Sequence, residues 1–489
     1  VTSNEKRMTQ NKLIAFIALI LLINASSCKK DFLNKLPQSS LTTANFYKNA
    51  NDAETGLNGA YDALQQEYYI WDYQTNGDTR ADNCYAGGDN PTNFQIDNFQ
   101  VTTVNGNIQR DWQQLFNGIM RANAVLDNVP NIADDAFTDP NRKNQILAEA
   151  KFLRAFHYFH LVTSWGGLPL TLSLNDADIY KVRSTADEIY AQIEKDLLES
   201  EAILPETFAD DGQTRGRATK GGAEALLAKV YAQEGKYQEC LDYCNKVLGN
   251  SIYSLLPDYT QLFDGNHNNN SEAIFELQYN SSGEGDWGIQ LMTPPSLTGD
   301  SWIKFNTPTH DLINTFRAEG DSIRLHASVI IEPANPPAQY LSEPNSVPFI
   351  GKWKHPNGWN SPDDVMMIRL ADIILLKAEA LNNLGQTDDA IPLINQIRSR
   401  VNLPNTTATT QDQVKEAILK ERRLELAFEG ERWNDLLRAG AEYTINLMNR
   451  QVNGQGQNLD YNVNENKLLF PIPQQERDLN KNLTQNPGY

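Results

Sequence analysis

Apolar residues recur at three- and four-residue intervals through long parts of this chain, the spacing that gathers them on one face of a helix. The clearest stretch runs from Thr219 to Leu248, where Ala228, Tyr231, Gly235, Cys240 and Cys244 mark two helices that must pack closely. The pattern returns at a constant offset of 150 residues, with Ala378, Leu381, Gly385, Ala390 and Ile394 in the corresponding places. In both copies a glycine stands where the first helix has to stop. The same periodicity predicts helices from about Asp52, over Asn107–Asn128, and over Asn141–Trp165 until Gly166, Gly167 and Pro169 end it. Thr185 and Glu188 have capping-box spacing ahead of the stripe Ile189, Ile193 and Leu197, and Thr410 with Gln413 caps a helix drawn through residues 418–440.

The spacing within the two copies is that of tetratricopeptide hairpins, and neither hairpin can bury its apolar face without neighbours. The predicted fold is therefore mainly α, a stack of helix pairs. Two stretches interrupt it. Residues 68–104 break the period with Gly, Asn, Asp and Pro while keeping many aromatics, and read as a long ordered loop or a few short strands. Residues 250–362 hold 11 of the 22 prolines and four of the eight tryptophans, and read as an irregular lobe inserted between helix pairs. The organisation that follows is a leader over 1–27 and a single body over 28–489. Within that body the scaffold covers about 44–249 and 363–440, the lobe about 250–362, and an extended segment 441–489.

The leader opens with Lys6, Arg7 and Lys12, continues with an apolar run from Leu13 to Ile23, and reaches Ala25, Ser26 and Ser27 before Cys28. Met8 reads as its start. The run is too short to span a bilayer. It resembles a bacterial lipoprotein signal with Cys28 as the acylated residue, although Ala25 stands where leucine is usual. Several acyl chains, at about 0.8 kcal/mol for each methylene, anchor a protein stably. A cleaved secretory signal, the other reading, also places the body outside the cytoplasm. Loss of residues 1–27, which carry those three cations and Glu5, takes the formal charge from −20 to −22. Such a body repels a phosphate backbone, so nucleic acid is not an expected partner.

The chain has no HExxH, GxSxG, Walker A or GxGxxG motif. Cys240 and Cys244 lack zinc spacing and read as small core residues. His157 and His160 read as structural, because no carboxylate at the right spacing completes a metal site. The charged run Arg422, Arg423, Glu425, Glu429, Arg432 and Asp435 reads as an ion-pair network rather than an acid/base site. A glycoside hydrolase needs no local motif, since its two carboxyl groups come from distant positions. No cofactor is expected; a structural calcium is left undetermined, because no acidic loop has EF-hand spacing.

Together several stretches resemble the SusD/RagB family of outer-membrane nutrient-binding lipoproteins: SCKKDFL at 27–33, AEAKFLRAFHYFHLVTSWGGLPL at 148–170, GRATKGGAEALLAKVYAQEGKY at 216–237, IRLADIILLKAEALNNLG at 368–385, ERRLELAFEGERWNDLLR at 421–438, and LLFPIPQQE with the terminal QNPGY. The resemblance implies four tetratricopeptide-like helix pairs carrying a variable lobe. It also implies a non-catalytic, lipid-anchored surface protein that captures oligosaccharides and passes them to a SusC-like TonB-dependent transporter. Sugar binding needs flat ring surface for C–H faces and polar groups for hydroxyls. The ligand-site expectations are Trp71, Tyr73, Arg80, Asp82, Asn83 and Tyr85, with Asp78, in the first interruption. In the lobe they are Trp287, Trp302 and Trp359, with Trp353 beside them. Trp112, Trp165 and Trp433, on helical stripes, are expected in the core. A surface hydrolase and a peptide-binding scaffold are the other two readings.

Overall fold

The computed structural model describes Met8 and residues 46–342 and 346–489; Cys28, and the leader apart from Met8, lie outside them. The longer helices of the stack are α1 (Ala50–Tyr61), α2 (Gly106–Asn128), α3 (Arg142–Trp165), α4 (Ala186–Glu201), α5 (Lys220–Gln233), α6 (Tyr237–Gly249), α7 (Leu370–Asn383), α8 (Thr387–Arg400), α9 (Gln411–Glu425) and α10 (Arg432–Ala439). Consecutive helices pack side by side. α6 also packs on α7, so the stack continues across the inserted lobe. Ala228, Cys240 and Cys244 of the first hairpin and Ala378, Ala390 and Ile394 of the second are fully buried. The alanines and cysteines among them let the backbones approach, and Gly235 and Gly385 reverse the chain at φ +72° and +77°. Thr185 and Thr410 each form the reciprocal capping box.

Among the described residues strands appear as three antiparallel pairs. They are β1 (Cys84–Gly87) with β3 (Phe305–Pro308), β2 (Ala273–Leu277) with β6 (Val365–Arg369), and β4 (Val329–Pro333) with β5 (Ser346–Ile350). The second pair closes the base of the lobe where the chain leaves and rejoins the stack. The first pair joins the interruption at 68–104 to the lobe, with Tyr85 opposite Thr307. Among the described residues no helix is long and apolar enough to cross a membrane.

Two boundaries differ from the periodicity. The helix drawn through 418–440 breaks after Glu425, with Phe428 and Gly430 at φ +69° and +79°, before α10 begins. The break turns Glu425 and Glu429 inward. Glu425 accepts from Arg369 at 2.7 Å and Arg324 at 3.1 Å, and Glu429 accepts from Arg369 at 2.6 Å and pairs with Lys352. Burial alone would raise the Glu425 pKa, but Arg400, Arg369 and Arg324 hold it well below the usual carboxylate range. Glu425 and Glu429 thus form a buried seam with the base of the lobe, while Arg422 of the same run pairs within the stack with Asp372 of α7 and Asp435 of α10. The segment drawn as extended contains a helix at Ala441–Met448 and a short one at Gln474–Leu479. Its Phe470 N–H donates to Ser164 O at 2.9 Å, which straps the end of α3.

Candidate functional site

The first interruption is neither loop nor strand over most of its length. Residues 68–72 and 75–79 form wide helical turns, β1 follows, and Pro91–Asp97 is helical. The six ligand-site expectations placed there are all buried. Trp71 is 3% exposed. Its ring lies 5.5 Å from that of Phe305, and its Nε1 donates to Glu67 at 3.2 Å. The Tyr73 hydroxyl accepts from Gln74, and the Tyr85 hydroxyl donates to Val452 O at 2.8 Å. Arg80 is sandwiched between the rings of Trp433 and Phe470, at 4.5 and 3.7 Å from their centroids.

Asp82 accepts from Arg432 at 2.6 and 3.0 Å and pairs with Arg423 at 3.2 Å. Burial would raise its pKa, yet Arg423 and Arg432 hold it down at about 2. Asn83 donates to Asp78 at 2.7 Å and accepts from Arg423 at 3.0 Å. Burial pushes Asp78 up to about 7, against donors from Asn83, Gly430 and Phe428. These side chains therefore lie under the surface with partners of their own. The expectation of an exposed platform on this segment is corrected: its charged groups and Tyr85 are drawn inward by partners in α9, α10 and the C-terminal segment, and Trp71 packs on Phe305 of β3.

The structure brings two of the lobe expectations together at the surface. Trp302 is 60% exposed and Trp359 42% exposed, with ring centroids 5.7 Å apart and planes at 72°. Trp302 walls an open cleft of about 400 Å³ that runs toward the β4–β5 hairpin and also meets Ser301, Asn335, Pro337 and Phe349. Trp287 is half-buried against the main core. Trp353 is buried, edge-on to Phe263. Trp112, Trp165 and Trp433 are in the core as expected.

Local chemistry holds each exposed ring. Asp300 accepts the Trp302 N–H at 3.1 Å, Lys304 Nζ at 2.7 Å and Gln290 Nε2 at 2.7 Å, so the loop before β3 is pinned at its start. Trp71 supports the next residue along, Phe305, from below. Trp359 sits in a turn where Asn357, Gly358 and Trp359 all have positive φ, at +45°, +61° and +76°. A bulky residue in that region costs on the order of 1–3 kcal/mol and persists only where surroundings impose it. Here Asn360 bonds the Ser281 carbonyl and accepts from Gly285 N at 3.0 Å, while Ser361 and Asp286 exchange backbone bonds at 2.9 and 3.3 Å. Asp363 accepts the N–H groups of Lys354 and His355 and the His355 ring at 2.8 Å. Beneath the turn, burial pushes Asp286 up to about 8 despite donors from Gly288 and Ile289.

A small cavity of about 30 Å³ between α3 and α10 is edged by His160, Lys229 and Glu431. Its volume is that of about one water, not of a sugar ring. The nearby histidines are paired with tyrosines, His160 with Tyr68 at 3.0 Å and His157 with Tyr69 at 2.8 Å, and burial lowers both pKa values to about 3. Among the described residues no three His, Cys, Asp or Glu side chains are grouped to hold a metal ion.

Asp300, Ser301 and Lys304 flank Trp302 in sequence, and a charged, small-residue setting around a lone ring was the available signal for them. Asn335, Pro337 and Phe349 reach the cleft only through the hairpin, which periodicity does not place.

The family model described as the SusD family matches residues 329–489, and the one described as starch-binding, associating with outer membrane, matches residues 31–232. SusD-like protein P38 of Formosa agariphila is 29% identical, over 98% of this chain and 99% of its own length. A SusD superfamily protein from Bacteroides vulgatus, 26% identical, superposes with a TM-score of 0.77 over 91% of this chain and 100% of that one. A laminarin-binding SusD-like protein, 27% identical, does so with a TM-score of 0.76 over the same shares.

Proposed function

We propose, from the premise that this chain belongs to the SusD/RagB family, that it captures oligosaccharides at the cell surface and hands them to a SusC-like TonB-dependent transporter. Outer-membrane placement accords with the description of the family model over residues 31–232. Acylation of Cys28 would supply the tether. The observation that carries the reading is the exposed Trp302–Trp359 pair beside a cleft rimmed by hydroxyl and amide groups. Rings of that kind cover the C–H faces of a sugar, and Ser301 and Asn335 can pair with its hydroxyls.

The protein binds glycan without cleaving it. Glycosidic hydrolysis takes two carboxyl groups facing one bond, about 5–10 Å apart. Among the described residues only Asp300 contributes a carboxylate to the lining of this cleft, and that carboxylate is already bonded to Lys304, Gln290 and the Trp302 backbone. Incubation of the purified protein with a glycan panel, reading both retention and chain length, tests the proposal. Retention with unchanged chain length, lost in Trp302→Ala, is the expected result; shortened chains would favour the hydrolase. Copurification with a large outer-membrane barrel tests the transporter partnership.

A further inference from the structure

We infer that the cleft beside Trp302 selects uncharged glycans and rejects sulfated or carboxylated ones, an inference that rests on the glycan-binding reading above. Among the described residues the two formally charged ones lining the cleft are Asp300 and Lys304. They neutralise each other. Lys304 is 3% exposed, and its ammonium donates to Asp300 Oδ1 at 2.7 Å and to the Gln290 carbonyl at 2.9 Å. Asp300 in turn holds the Trp302 N–H and Gln290 Nε2.

An anionic substituent entering this cleft gives up part of its hydration and finds no unengaged cation in the lining to replace it. If Lys304 turned outward to meet it, Asp300 would lose its counter-charge and the loop that presents Trp302 would lose its anchor. Selection and ring placement thus depend on one ion pair. Ser301 and Asn335 offer neutral donors and acceptors, which suit hydroxyl groups. The formal charge of −20 adds a long-range repulsion of anions that fades as salt rises. On the neighbouring turn His355 is bonded to Asp363, and Lys354 is the further cation close to Trp359 in sequence.

Matched ligands test this. Laminarin, xyloglucan, galactomannan and xylan would each be compared with carboxymethylated and sulfated derivatives of the same backbone, using the full-length protein, in about 20 mM and about 500 mM salt. The expected result is that the uncharged form of whichever backbone binds is preferred about tenfold or more at low salt, with a smaller preference at high salt. In Asp300→Asn the preference should shrink to about threefold or less, because Lys304 is released from its counter-ion. Asparagine can still accept the Trp302 N–H, and the unpartnered Gln290 Oε1 can rotate to accept its amide. Equal or tighter binding of the derivatives would overturn the inference while leaving the ring-bearing cleft as the glycan site. Tighter binding abolished by Lys354→Ala would overturn it by showing that the turn supplies the missing cation. Failure of every glycan to bind in either form would overturn the glycan-binding reading itself.

Discussion

The two aromatic, non-periodic stretches of this chain look alike in sequence and end in opposite places. Around Trp71, Tyr73 and Tyr85 the rings are buried; around Trp302 and Trp359 they stand in solvent. The polar neighbours make the difference. Asp78, Arg80, Asp82 and Asn83 take partners more than 300 residues away, at Gly430, Lys467, Arg432 and Arg423, and those bonds draw the segment under the C-terminal helices. Asp300 and Lys304 satisfy each other four residues apart, so this pair does not pull Trp302 inward. Charges answered locally leave a ring free, and charges answered at a distance bury it.

The strongest break in this comparison is Asp82→Ala, which leaves Arg432 buried without its carboxylate while Arg423 keeps Asp311. Loss of one partner of such a pair costs about 3–5 kcal/mol, so urea unfolding should shift by that amount. A change under about 1 kcal/mol would mean the distant bonds do not bury the segment. Trp71→Ala comes next. It should cost about 3 kcal/mol as a core truncation and also weaken glycan binding, because Phe305 beside Lys304 loses its support. Trp302→Ala should do the reverse, lowering glycan affinity about tenfold or more while unfolding free energy stays within about 0.5 kcal/mol. If calorimetry found stability lost and binding kept, the two segments would exchange roles.

The smallest effect is a slope with pH. Burial raises Asp286 to about 8 and Asp78 to about 7, above the ordinary value near 4 in the unfolded chain. Their stabilisation is complete where both states are protonated, below pH about 4, and is lost as pH rises through the folded values. Between about pH 7 and 8, where unfolded histidines are mostly neutral, unfolding free energy should therefore fall as pH rises, and Asp286→Asn should flatten that fall. Asp82, held at about 2, acts in the opposite sense, and its contribution is lost as pH drops from about 4 to about 2. Equal slopes in wild type and Asp286→Asn would remove Asp286 from this account.

Most of the scaffold was legible because it depends on local rules. Small residues at helix contacts, the stop glycines and the two capping boxes all lie within one turn or one hairpin of the groups they serve. The break after Glu425 was not legible, because inward rotation of Glu425 and Glu429 is set by Arg369 and Lys352 on the lobe side. The site was half legible. Ring type and irregular setting singled out Trp302 and Trp359, but the same criteria selected Trp71 and Tyr73, whose burial follows from bonds between this segment and Gly430 and Arg432, far along the chain. Asn335 and Phe349 carried no local signal.

The charged seam along α9 also sets an order of assembly. Arg324, Lys352 and Arg369 emerge before Glu421, Glu425 and Glu429, so an unfinished chain carries three cations of the lobe base without those counter-ions. Asp321 and Glu272 already accompany Arg324 and Arg369, but dehydrating the three cations with those two carboxylates only is costly, which delays closure of that base until α9 arrives. A truncation before Gln411 should therefore keep its early hairpins yet leave the lobe open to protease, whereas the intact chain locks late and all at once.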